Sequence, residues 1–217
     1  MILKKYCSKE WCDFVEFHSK TVILQEGEFI FKSGEKTEGL FIIIDGKVKI
    51  STNSGEKNER VIRLATNDDL LGHRGFGGSW EYTVSATCLT TTKLLFIPMA
   101  IFNDLVKGNP DFAYFMIIFF AEELRETENL ASLRPIKNII ASVLLRNYKV
   151  FGIEENETSK LSYTLSRKDM ASLAGTRYET LVRTLAEFNN ENIIKIDGKS
   201  IHILDVSKLE ELARHQD

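Results

Sequence analysis

Between Thr21 and Pro98 the chain is broken by glycine-bearing turns, and this punctuation constrains its architecture more than any other feature. TVILQEGEFIFKSGEKTEGLFIIIDGKVKIST, VIRLA and YTVSATCLTTTKLLFIP read as short strands with a turn about every eight to twelve residues. Asp45-Gly46, between FIII and KVKI, has the form of a tight hairpin, because glycine supplies the positive backbone dihedral such a turn needs. Many short strands at this spacing imply a sandwich or barrel. The first half is expected to be all-β.

The pattern changes after Asn109-Pro110. DFAYFMIIFFAEELRETENLASL, from Asp111 to Leu133, predicts one long helix. Phe112, Phe115 and Phe119 trace one apolar stripe, and Met116, Phe120, Leu124 and Ala131 trace another. Two apolar faces need two partners. One is the β half; the other is either more of the same chain or the equivalent helix of a second copy, and the absence of a nearby helix of similar length favours a homodimer. Pro135 breaks the register. Beyond it Ile136, Ile139, Ile140, Val143, Leu144 and Tyr148 recur at helical spacing up to Gly152, where a polar loop, IEENETSK, follows. Domain limits of 1–109, 110–134 and 135–217 follow.

Ser166-Arg167-Lys168-Asp169 has the form of a helix start, with Ser166 as N-cap and an acid three residues on. Gly175 closes that helix. Thr176 then opens a second with Glu179 in capping-box spacing, and two short helices joined by a glycine turn make a helix-turn-helix. At about 100° per residue, Leu181, Leu185 and Phe188 share one side of the second helix, with Glu179 and Arg183 almost opposite. A recognition helix presents side chains to base edges from its N-terminal half. Arginine offers a donor fork that matches guanine, and a carboxylate accepts from cytosine. An ordinary surface ion pair has the same spacing, so the pair acquires meaning only from its surroundings. Asp197-Gly198 between Ile193–Ile196 and Ser200–Ile203 supplies them: a hairpin directly after the helix makes the winged form. Lys199 at its tip, with Ser166, Lys168, Thr176 and Thr180, would donate to phosphates.

The net charge of −3 gives no global attraction to nucleic acid, so binding has to come from this local surface. Cys7, Cys12 and Cys88 form an odd set without a disulfide framework, and three thiols fall short of the four that iron–sulfur clusters use. Neither a cluster nor haem is expected. His18, His73, His202 and His215 are scattered, no metal-ligand spacing, nucleophile motif or phosphate loop occurs, and an enzyme is not expected. No apolar run would span a bilayer, and the start MILKKYCSKEW lacks signal-peptide order, so a cytoplasmic protein without a membrane partner is the default expectation.

EGEFIFKSGEKTEGLFIIIDGKVKI and LSRKDMASLAGTRYETLVRTLAEFNNENIIKIDGKSI, in this order and bridged by a long helix, resemble the Crp-Fnr family of transcription factors over nearly the whole chain. The resemblance implies an α+β protein: an N-terminal cyclic-nucleotide-binding-like β-roll, a dimerisation helix, and a C-terminal winged helix-turn-helix that binds double-stranded DNA. It places Glu179 and Arg183 on the family's base-reading positions. Tyr178 stands where the catabolite activator has an arginine, which leaves the full half-site open, and Arg177, nearer the packed side, is expected to reach phosphate. RNA polymerase contacts through Thr52–Arg60 or Phe151–Lys160 are implied by the resemblance alone.

The sensor stretch departs from the family pattern. In LLGHRGFGGSWEYTVSA, Gly72 remains, His73 stands at the glutamate position, and Trp80 and Glu81 stand where a phosphate-binding pair is expected. A carboxylate there would repel a phosphate, so cyclic AMP in the usual mode is not expected. Either His73, Arg74 and Trp80 line a pocket for another small-molecule effector, or Trp80 plugs the cavity and His73 is a satisfied polar residue. Thr127 lies where the family contacts the nucleotide base. A regulatory module acting through protein contacts is the alternative to a DNA-binding regulator.

Overall fold

The computed structural model describes residues 2–53, 59–129 and 134–214, which form two compact units. One takes residues 2–52 and 65–129, and the other takes 53, 59–64 and 134–214.

The first unit opens with two helices, α1 (Ile2–Tyr6) and α2 (Lys9–His18), to which the sequence reading assigns nothing. Along the chain the strands that follow are β1 (Lys20–Leu24), β2 (Phe29–Phe31), β3 (Gly39–Asp45), β4 (Val48–Asn53), β5 (Glu59–Ala65), which up to Leu64 is counted with the second unit, β6 (Leu70–Leu71), β7 (Ser85–Cys88) and β8 (Thr92–Pro98). They make two four-stranded sheets, ordered β1-β8-β3-β6 and β2-β7-β4-β5. The all-β expectation therefore holds for the described residues between Thr21 and Pro98, apart from a 3₁₀ turn at His73–Gly75, but Asp45-Gly46 is not a hairpin. β3 pairs with β8 and β6, whereas β4 lies in the other sheet, so the chain changes sheets at this point. Gly46 is required for a different reason: at φ +136°, a Cβ would stand 2.5 Å from the Thr92 hydroxyl oxygen.

Helices α3 (Met99–Gly108) and α4 (Pro110–Asn129) follow. Leu3, Val15, Leu40, Ile42, Leu95, Ile97, Phe102, Leu105, Phe112 and Met116 form one buried cluster between the first sheet and the four helices. Tyr6 stacks on Phe115 with ring centroids 4.2 Å apart, which fastens α1 to α4. Met116 thus belongs with Phe112 on the inward stripe. The outward apolar side chains are Tyr114, Ile117, Ile118, Phe120 and Leu124, at 66, 65, 39, 38 and 62% exposure. Ala131 lies outside the described residues.

In the second unit α5 (Ile136–Phe151) buries Ile140, Val143, Leu144 and Asn147. Helices α6 (Arg167–Leu173) and α7 (Tyr178–Asn190) come next, followed by the antiparallel strands β9 (Ile194–Asp197) and β10 (Ser200–Ile203) and by α8 (Val206–Ala213). Among the described residues no helix is long and apolar enough to cross a membrane.

Candidate nucleic-acid interface and sensor turn

Ser166 caps α6 as its sequence implies: its Oγ accepts from the Asp169 N–H at 3.0 Å and donates to the Asp169 carboxylate at 2.8 Å. Met170, Ala171 and Leu173 are buried, and the turn closes at Gly175, whose φ of +63° is the left-handed conformation glycine adopts without strain. The second helix starts later than its capping-box spacing implies. Thr176 donates its N–H to Ala171 O, the N-cap is Arg177 in an extended conformation, and Arg177 gives no side-chain cap. Glu179 therefore stands in the first turn of α7, one position short of a capping box. An acid there complements the helix dipole, and first-turn N–H groups without a side-chain cap suit an anion such as phosphate.

Leu181, Thr184, Leu185 and Phe188 form the buried side of α7. Tyr178, Glu179, Val182 and Arg183 are exposed opposite them. Among the described residues no side-chain hydrogen bond or ion pair holds Glu179 or Arg183, to each other or to anything else. The ion pair that their spacing allows is not formed. Asn189, at the end of α7, accepts the Ile196 N–H at 2.9 Å, which fixes the β9–β10 hairpin to the helix. Lys199 is exposed at its tip, and Thr180 is half-buried. Lys168, Thr176 and Tyr178 line a cleft of about 450 Å³ together with Glu59, Arg60 and Ser172. Ser172 Oγ accepts from the Val61 N–H at 2.9 Å and donates to Glu59 O at 3.0 Å. Arg167, half-buried beside this surface, has its guanidinium pulled below the ordinary arginine value by burial, with Tyr178 opposing the shift.

The other set of sequence-predicted residues surrounds a 3₁₀ turn, His73–Gly75, in the first unit. Gly72 closes it by accepting the Gly75 N–H at 3.0 Å. His73 is 4% exposed, and its Nε2 donates to Glu123 Oε2 of α4 at 2.8 Å. Arg74 Nε donates to the same oxygen at 3.1 Å. The rings of Phe119 and Phe120 meet the imidazole edge-on, with centroids 4.8 and 5.7 Å away. Trp80 is not a buried plug: at φ +56° it leaves 40% of its surface exposed and meets Phe76 edge-on. Glu81 is exposed and bridges to Lys36 through the backbone. Thr127 lies in α4, outside the residues whose side chains are described.

Glu123 is the residue that the sequence reading missed. Its signal was available: Phe112, Met116, Phe119 and Glu123 share one stripe at helical spacing, and an acid in a core-facing position needs a partner.

Comparison with known proteins matches residues 21–109 to the cyclic nucleotide-binding domain and residues 140–212 to the Crp-like helix-turn-helix domain. A CRP-like cAMP-activated global transcriptional regulator of Mycobacterium tuberculosis is 28% identical, the match covering 87% of this chain and 85% of that one. The fumarate and nitrate reduction regulatory protein of Escherichia coli is 25% identical over 88% of this chain and 78% of its own. Among solved structures, a CRP/FNR-family transcriptional regulator from Thermus thermophilus superposes with a TM-score of 0.74 at 26% identity, covering 91% of this chain and 100% of that one. FixK2 from Bradyrhizobium japonicum reaches a TM-score of 0.79 at 16% identity, covering 92% and 99%, a likeness of fold.

Proposed function

The chain belongs to the Crp-Fnr family of DNA-binding transcription regulators, and from that premise we propose that it works as a homodimer in which each protomer lays α7 in a major groove. Half-sites for such a dimer lie about 34 Å apart. Glu179 and Arg183 read base edges, Tyr178 adds a contact beside them, and Ser166, Lys168, Thr176, Arg177, Thr180 and Lys199 hold phosphates. The observation that carries this reading is the outward pair: an acid and an arginine four residues apart, exposed on a helix whose opposite side is buried, and engaged by no other described residue.

Dimerisation runs through α4. Tyr114, Ile117 and Leu124 are more than half exposed and recur at i, i+3 and i+10, the seam that a second copy of the helix would cover. Residues 1–109 sense, 110–134 dimerise and 135–217 bind DNA. The signal is a small molecule other than cyclic AMP in its usual mode, because His73 and Arg74 are taken up by Glu123 and the exposed Glu81 stands where a phosphate would need a cation. The protein acts in the cytoplasm, and RNA polymerase is met through Phe151–Lys160 or Thr52–Arg60, of which residues 54–58 lie outside the described residues. Selection of bound duplexes from a random pool tests the proposal: a two-fold-symmetric consensus supports it, and failure to retain any duplex at low salt would return the chain to a module acting through protein contacts.

A further inference from the structure

The exposed side of α7 carries two neighbouring rows at i, i+4 spacing. Glu179 and Arg183 make the charged row. Tyr178, Val182 and Ala186 make the other, which holds no charge. At about 100° per residue, Val182 stands about 60° round the helix from Glu179 and about 40° from Tyr178, so it shares the outward side with the charged row. Tyr178 and Val182 leave 52 and 41% of their surfaces exposed, whereas Leu181 and Leu185 leave 0 and 1%. The core of the unit thus ends at the two leucines, and Val182 stands outside it. A β-branched residue is a poor choice for an exposed stretch of helix, because the preceding turn restricts its side chain and its apolar surface stays in water. Single exposed apolar residues are ordinary on protein surfaces. This one lies among the side chains presented to base edges.

We propose that Val182 is a specificity-determining residue whose methyl groups contact the 5-methyl of a thymine, in the base pair beside the one read by Glu179 and Arg183. The proposal rests on the DNA-binding role proposed above and deepens it. In the major groove the base edges present hydrogen-bond donors and acceptors, and the one apolar group among them is the thymine methyl. An apolar side chain therefore has a single feature to recognise there, and it makes no demand on the hydrogen bonds its neighbours form. Cytosine in place of the thymine removes the methyl. Guanine or adenine sets a polar edge against a side chain with neither donor nor acceptor to offer, which leaves that edge without its water. Tyr178, four residues earlier in the same row, extends the uncharged surface toward the start of the helix. The charged row then selects G·C and the uncharged row selects the T·A pair beside it in each half-site.

Deoxyuridine keeps every hydrogen-bonding group of thymidine and lacks only the methyl, so it isolates the contact. The full-length protein is titrated with the duplex selected from a random pool, and with versions in which single thymines are replaced by deoxyuridine, while fluorescence anisotropy reports binding. Replacing the thymine beside the G·C pair should cost the wild type about fourfold in affinity per half-site, the factor carried by about one buried methyl group. Val182→Ala, at an exposed position where alanine favours the helix, should bind both duplexes with equal affinity and still prefer G·C. Val182→Ile should keep the penalty. A selected site without thymine at that position, a wild type indifferent to the methyl, or a Val182→Ala variant that retains the full penalty would overturn the proposal. The same titrations separate the two readings: a G·C preference without a methyl effect refutes the role of Val182 alone, whereas failure to retain any duplex refutes the DNA-binding regulator and this role with it.

Discussion

Asn147, fully buried in α5, ties the chain entering the helix-turn-helix to the core: its Nδ2 donates to Tyr163 O at 2.8 Å and its Oδ1 accepts the Leu165 N–H at 3.2 Å. Leu165 is followed by Ser166, the cap of α6. Asn147→Leu keeps the branched outline and removes both the donor and the acceptor, and a buried backbone group that loses its partner costs about 1–3 kcal/mol. Urea unfolding of this variant should show a loss of about 3 kcal/mol, and DNA binding should fall with it because the position of α6 depends on this anchor.

The outward stripe of α4 predicts the assembly state. Ile117→Asp and Leu124→Asp place charges on exposed positions, so the folded protomer should keep its circular dichroism. Sedimentation should report a dimer for the wild type and a monomer for the double variant. DNA affinity should drop steeply, because each half-site would then be bound without its neighbour.

Burial pushes the Cys7 thiol up to about 11, with the neighbouring Cys12 adding to the shift. Its folded value lies above the ordinary 9.0, so the stability it contributes is complete below that value and is lost as the pH rises from about 9 to 11. The same shift keeps the thiolate scarce: near pH 8, alkylation of Cys7 should run about a hundredfold slower than that of a free thiol. Peptide mapping after timed iodoacetamide treatment measures this directly.

Lys168 and Lys199 are exposed on the proposed DNA face, and they carry charge rather than sequence information. Lys168→Ala should weaken binding to all duplexes alike and reduce the slope of log affinity against log salt by about 1. Fluorescence anisotropy over a salt series provides the measurement.

Features that were legible in the sequence are those set by local chemistry. Ser166 caps α6 because its hydroxyl needs only the N–H three residues on, and Leu181, Leu185 and Phe188 show their common side through spacing alone. Asp45-Gly46 misled because the dipeptide reports a local bend, whereas the choice between hairpin and sheet change is made by Thr92 and by strands far along the chain. Thr176 misled in a similar way: the capping-box spacing is present, but the chain stays extended through Arg177. Helical spacing places Asn147 and Glu123 on buried stripes, but their partners were beyond its reach. A polar side chain on a buried stripe is stable only through groups 16 and 50 residues distant, and periodicity carries no information about those.

The proposed base-reading role of α7 is tested most directly by selecting duplexes from a random pool with the wild type and with Arg183→Ala. The wild type should yield a two-fold-symmetric site with a G·C pair in each half, and the variant should lose discrimination at that pair alone, at a cost of about 1–3 kcal/mol. A variant that binds every sequence more weakly by the same factor, with its preference for G·C intact, would contradict the account.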